Sequence, residues 1–371
     1  MKRVKTREVF LEPGQITIAE RVLPPIKPHQ VLVRTHMASI CGSERYHYRG
    51  IAVAPEYRAR GRYVPPAYRE DGAAAAMGGL KRRALGHEGG GTIVQVGSSV
   101  REYLYHPGHK IQVGDRVSLF TPTYCDYAIV DGIGVGGAWS IQPIPEGVSF
   151  EVGCLFEPFG CAGWAALHLG VVPGDVVSVN GCGFSGLILM QGALKHGASA
   201  IIALDVVDAK LEVARKLVSK FPAKFHAINP RREDYVDRVN AITDDEGVDV
   251  ATENVGGTGI GIKQALDQVK HNGLLALYGD TYVPVPQFHF HRVHEDGLRI
   301  RPLNAVHYNE LQNIQNLNEA YRAQRRGVFD EVWPLIWAHS SSHRLDEIAD
   351  VFAKEGEDLE KQGSIKTTFT P

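Results

Sequence analysis

Residues 175 to 191 read D-V-V-S-V-N-G-C-G-F-S-G-L-I-L-M-Q, and their reading decides the fold. A short β-branched run ends in three glycines spaced G-x-G-x-x-G, and an apolar helical pattern follows at once. Gly181 permits the tight turn, Gly183 lets a pyrophosphate approach the backbone, and Gly186 packs the helix on its strand. Phe184 and Ser185 complete the loop at the helix N-terminus, whose free N–H groups face an anion. The next strand, A-I-I-A-L-D, ends in Asp205, where an acid binds the adenosine ribose hydroxyls and repels a 2'-phosphate; NAD is therefore expected over NADP. Lys210, five residues on, is a candidate for the same ribose or a solvated helix residue.

Outward from this loop the chain divides in two. Its 371 residues suit two domains. Up to about residue 150, short alternating runs such as Q-V-L-V-R-T (30 to 35) predict a strand-rich unit. From about 152, strands and helices alternate, which predicts a doubly wound parallel sheet. The expected division is 1–152 with 300–371, and 153–299. The terminal S-I-K-T-T-F-T is a strand that can return to the first unit. N-V-G-G at 254 to 257, with Val255, and Y-G-D-T at 278 to 281 fall at strand ends that would line the nicotinamide end of the cleft.

With 22% charged residues and a net charge of -2, nucleic acid and anionic membranes are not expected partners. No run of eighteen apolar residues occurs, and a cytoplasmic enzyme is the simplest reading. Cysteines at 41, 125, 154, 161 and 182 form no C-x-x-C, so any metal site must mix ligand types.

Such a mixture is present. Cys41 stands in A-S-I-C-G-S, His87 and Glu88 lie side by side in G-H-E-G-G-G-T-I-V-Q-V-G, and Glu157 precedes a proline in L-F-E-P-F-G. One sulfur, one imidazole and one carboxylate with a vacant fourth position suit catalytic zinc.

These motifs, with G-D-R-V at 114 to 117, occur in an order that resembles the zinc-dependent medium-chain alcohol dehydrogenases over essentially the whole chain. Glu157 in E-P-F-G is similar to the polyol (sorbitol) and threonine dehydrogenase branch. The resemblance implies a GroES-like catalytic domain beside the dinucleotide-binding (Rossmann) domain. It implies Cys41, His87 and Glu157 as zinc ligands, with Glu88 as the neighbouring acid that binds or exchanges with zinc-bound water, and Cys154 and Cys161 as competing ligands. The second, structural zinc lobe of four cysteines is missing between Gly97 and Cys125, so one zinc per chain is expected. A homodimer or homotetramer is implied in the same way.

By the same resemblance, Ser43 is the first proton acceptor, and a histidine five residues after the cysteine ends the relay. Here Tyr46 holds that place and His47 follows, so either His47 takes the role, or Tyr46 bonds the ribose, or the relay ends in water. Glu44 is a candidate partner for the far nitrogen of His87, or a surface charge. The implied activity is hydride transfer between NAD and a secondary alcohol or its ketone, the small-molecule substrate being a polyol, sugar-derived or hydroxy-acid-like compound. The alternative is transient oxidation within a net elimination or epimerisation. An insert over residues 49 to 83 carries seven arginines and is expected either to bind an anionic or polyhydroxylated substrate or to form a subunit contact. F-H-F-H-R-V-H at 288 to 294 reads as a half-exposed strand or as the edge of the pocket.

Overall fold

The computed structural model describes residues 4–49, 83–84, 86–100, 102–103, 106–120, 123–131, 141–281, 288–305, 310–354 and 364–371. The arginine-rich insert between 50 and 82 lies outside the described residues, and so does the role expected of it.

The first unit contains β1 (Lys5–Glu12), β2 (Gln15–Val22), β3 (Gln30–Ser39), α1 (Gly42–Tyr48), β4 (Arg83–Ala84) and β5 (Gly89–Val96). It continues with β6 (Glu102–Tyr103), β7 (His106–Lys110), β8 (Arg116–Leu119), β9 (Tyr127–Asp131) and β10 (Ile141–Pro143). Helices α2 (Phe150–Gly153) and α3 (Phe156–Leu167) lead to β11 (Val176–Asn180), α4 (Phe184–Lys195), β12 (Ala200–Leu204), α5 (Asp208–Val218) and β13 (Lys224–Ile228). Next come α6 (Tyr235–Thr243), β14 (Val248–Glu253), α7 (Ile260–Gln268), β15 (Val269–Leu277), α8 (Phe290–Glu295) and β16 (Arg299–Pro302). The chain closes with α9 (Glu310–Arg325), α10 (Trp333–Ala338), β17 (Ser341–Arg344), α11 (Ile348–Lys354) and β18 (Thr367–Thr370).

The fold is α/β. Strands β13-β12-β11-β14-β15-β16 lie side by side in that order, and every pair is parallel. Successive side chains point to opposite faces: Ile201 and Ala203 enter one apolar cluster with α3, α4 and α5, while Ile202 and Leu204 enter another with α6 and α7. Burial on both faces explains why V-V-S-V-N and A-I-I-A-L read as continuous rather than alternating runs. The order reverses at β11, which has β12 on one side and β14 on the other. The crevice beyond the carboxyl ends of β11 and β14 is the place where such sheets take ligands.

The strand-rich sheet runs β10-β8-β5-β3-β18-β17, with β9 also pairing β3. Its terminal strand returns as the sequence suggests, Thr368 opposite Ser39 and Phe369 opposite Ala38. One expected boundary is placed anew by proposal, and one expected strand is replaced by a helix. Strand β16 straddles the division placed at 299/300, and Phe329, Val332 and Ile336 of the following segment pack into the core of the parallel sheet; we propose that the return to the first unit comes after Ala338. The 288 to 294 stretch contains α8 instead of a strand, because Arg292 bonds Asp296 one turn on and donates to the carbonyls of Leu266 and Val269 at the end of α7. His289, His291 and His294 are exposed there.

Candidate active site

Three strand ends bring the candidate ligands together. Ala38 in β3 is flanked by Gly89 of β5 and Phe369 of β18. Just beyond, Ser39 N–H donates to Glu88 O at 3.0 Å and Ile40 N–H to Thr367 O at 2.9 Å. Cys41, two residues past β3, therefore meets His87 and Glu88, the two residues before β5. One ligand atom from each of the three lies within 4.8 Å of the others.

The surroundings favour a cation. Glu44 is buried, and its carboxylate takes the Tyr124 O–H at 2.8 Å and the Cys41 N–H at 3.2 Å, while Oε1 stands 3.3 Å from His87 Nδ1. Glu44 thus faces the Nδ1 side of His87, the side on which a partner of a metal-bound imidazole stands. Burial pushes His87 down, but Cys41 and Glu44 outweigh it and hold the imidazole well above its ordinary value. Burial likewise pushes Glu44 up, and His87 with Tyr124 brings it below the usual carboxylate range. Cys41 and Glu44 thus set acidic groups beside His87, whose charge a divalent ion would balance. Glu88 is fully buried and its Oε1 has no hydrogen-bond partner among the described residues, an orphan acceptor that a metal would satisfy. On donor chemistry and on this orphan, the residues fit zinc.

Glu157 stands outside that trio. It lies in the first turn of α3, and its Oε1 accepts a hydrogen bond from Cys161 Sγ, one turn on, at 3.5 Å. Burial raises its pKa and Glu88 adds to this, against the pull of His87 and Lys366. Burial and Glu157 push the Cys161 thiol well up. Cys154 is fully buried and donates to Glu151 O, its thiol raised by burial. Ser43 is half-buried in α1, two positions after Cys41; His47 lies in the same helix, its side chain outside the described residues.

The glycine turn between β11 and α4 adjoins this cluster. Gly181 has φ +95°, and a Cβ on Gly186 would lie 1.8 Å from Gly181 O, so both positions require glycine. Gly183 is the N-cap of α4, with Phe184 and Ser185 in its first turn. Asp205 accepts from Cys182 N–H at 2.8 Å and Val207 N–H at 2.9 Å, which fastens the glycine turn to the end of β12. Lys210 is half-buried in the first turn of α5. Val255, beyond β14, is exposed, and its carbonyl accepts from Tyr46 O–H at 2.7 Å.

One residue that sequence reasoning overlooked joins the two halves. Lys366 Nζ is buried 2.5 Å from Glu88 Oε2, donates to Ile40 O at 2.8 Å, and lies 5.2 Å from the centre of the Phe184 ring. Burial lowers its pKa, but Glu88 and Cys41 carry it above the usual lysine value. The only signal was a lysine inside a terminal strand, S-I-K-T-T-F-T, whose neighbours are buried. Tyr124 and Glu253, both buried, were also missed.

Two family models match, an alcohol dehydrogenase GroES-like domain over residues 27–147 and a zinc-binding dehydrogenase domain over residues 186–319, together well over half of the chain. The chain belongs to the zinc-dependent medium-chain alcohol dehydrogenases. Within these dehydrogenases it lies on the polyol and threonine branch. It is 29% identical to the sorbitol dehydrogenase of Bacillus subtilis (strain 168), covering 71% of this chain and 72% of that one. It is 27% identical to an L-threonine 3-dehydrogenase of Caldanaerobacter subterraneus subsp. tengcongensis, covering 72% and 74%. The crystal structure of 2R,3R-butanediol dehydrogenase from Bacillus subtilis shares the fold, with a TM-score of 0.69, 19% identity and 99% of each chain covered. The strand-rich unit is accordingly GroES-like, the protein is an oxidoreductase, and zinc with a nicotinamide nucleotide is the cofactor set of its family. Among the described residues no helix is long and apolar enough to cross a membrane.

Proposed function

We propose that this oxidoreductase transfers hydride between NAD and a secondary alcohol or its ketone, using one zinc held by Cys41, His87 and an acid drawn from Glu88 and Glu157. The observation that carries the reading is the Cys41, His87 and Glu88 cluster, with its orphaned buried Oε1, linked through Lys366 to Phe184 of the dinucleotide loop. Zinc, when bound, supplies a Lewis acid that lowers the pKa of the alcohol.

The chain's own residues do the rest. Glu44 holds the His87 ring through Nδ1. Lys366 balances the charge of Glu88 and keeps that carboxylate beside the cluster. Ser43 Oγ is the first acceptor of the substrate proton. The glycine turn and the N-terminus of α4 hold the pyrophosphate, and Asp205 takes the adenosine ribose, which sets NAD over NADP. Lys210 assists at the ribose, and Val255 lines the nicotinamide end.

The printed names of the relatives, a sorbitol, a threonine and a butanediol dehydrogenase, share a secondary alcohol beside a second polar group. That supports a polyol, sugar-derived or hydroxy-acid-like substrate here. A cytoplasmic homodimer or homotetramer belongs to the same proposal. The test is a screen of zinc-loaded protein for NAD reduction over polyols, sugar alcohols, hydroxy acids and amino alcohols. Accumulating NADH is the expected result; turnover of a substrate without it points to the net non-redox alternative.

A further inference from the structure

The segment that carries Cys41 is tied directly to the cofactor crevice by one side chain. Tyr46, in α1 and five residues after Cys41, donates its hydroxyl hydrogen to Val255 O at 2.7 Å. Its ring covers Gly257, where a Cβ would lie 2.2 Å from Tyr46 Cε1 and 2.4 Å from Cζ. Gly257 also has φ +69°, so this position admits little but glycine on two counts. The N-V-G-G loop is fastened from its other sides as well. Buried Glu253 Oε1 accepts the N–H groups of Val255 at 2.8 Å and Gly256 at 2.7 Å, and Gly257 N–H donates to Asp280 O at 2.7 Å. Those ties lie within the parallel-sheet unit. Tyr46 contributes a tie that crosses to the strand-rich unit.

From this geometry we infer that Tyr46 is a positioning residue for the dinucleotide. It fixes the loop at the mouth of the β11 and β14 crevice against the metal-bearing segment, so that the cofactor meets a wall already set at its working distance. The inference rests on the reading of this crevice as a nicotinamide nucleotide site. A preorganised wall spares the ordering that binding would otherwise require, and its loss weakens binding without altering the metal ligands. Glu253 acts on the same loop from beneath, through backbone N–H groups.

The experiment compares zinc-loaded, full-length wild type with Tyr46→Phe and Gly257→Ala. It reads the Kd for NADH by nucleotide fluorescence, together with zinc content and KM values for both substrates. Tyr46→Phe keeps the ring on Gly257 and removes one hydrogen bond. The expected result is a Kd for NADH weaker by roughly fivefold, the scale of one such bond, with zinc content retained and the alcohol KM moved by less than about twofold, because the preorganisation acts on the cofactor wall. Gly257→Ala forces the ring away and weakens NADH at least as much. NADH binding unchanged in both variants overturns the inference and leaves the functional reading standing. A wild type that carries zinc yet binds no NADH or NADPH removes that reading, and the inference with it.

Discussion

Lys366 Nζ and Glu88 Oε2, 278 positions apart in sequence, form a buried ion pair at 2.5 Å directly behind Cys41 and His87. Removing one partner leaves a buried charge uncompensated, which typically costs about 3 to 5 kcal/mol. Lys366→Met is expected to lower the unfolding free energy by that order, measured by urea denaturation. Lys366→Met combined with Glu88→Gln should recover a good part of it, since neither charge then stands alone.

The Arg7 and Asp126 pair ties β1 to the segment entering β9 and gives a pH prediction. Burial pushes Asp126 up, but the Arg7 guanidinium and N–H, at 2.7 Å each, bring its carboxyl below the usual range. A depressed folded-state pKa means a contribution present above the unfolded value of about 3.9 and lost as pH falls through the folded one. Asp126→Asn should therefore destabilise by about 1 kcal/mol at neutral pH, a modest figure for a half-exposed pair. The difference from wild type should shrink to nothing in strong acid, as followed by thermal melts across pH.

Gly186→Ala places a methyl 1.8 Å from Gly181 O. The backbone on both sides is fixed by β11 and α4, so the strain cannot be relieved by a rotamer change. Loss of at least 1 to 3 kcal/mol, the order seen for overpacking, is expected, with a matching loss of NADH binding measured by fluorescence titration.

Asp205→Ala removes the carboxylate proposed for the adenosine ribose, and with it two backbone ties, to Cys182 and Val207. The ratio of kcat/KM for NAD to that for NADP should fall by about tenfold, the equivalent of roughly 1.4 kcal/mol. NADP turnover should gain in relative terms even as both affinities drop, because the loop itself is loosened.

Much of this was legible because the signals were local. The glycine spacing sits between a strand and a helix, and H-E-G-G-G-T-I-V-Q-V-G names its own turn and strand, so Cys41, His87, Glu88 and the loop residues could be singled out before any coordinates. What escaped was nonlocal or tertiary. Lys366 became visible only once β18 was paired with β3. Tyr124 was chosen by the packing that buries Glu44. The F-H-F-H alternation promised a strand, but Arg292 found better partners in the carbonyls ending α7, and a period-two pattern over seven residues could not reveal that. Helices α9 and α10 had no α/β rhythm to betray that their apolar faces belong to the parallel-sheet core.

The central claim is that Cys41 and His87 hold the metal on which the oxidoreductase chemistry depends. Its most direct test is the zinc content of protein purified without chelator, compared with Cys41→Ser and His87→Ala. About one zinc per chain in the wild type, as for a single catalytic site, with most of it lost in both variants, is the predicted result. A wild type that carries no zinc and takes up none when zinc is added back contradicts the account.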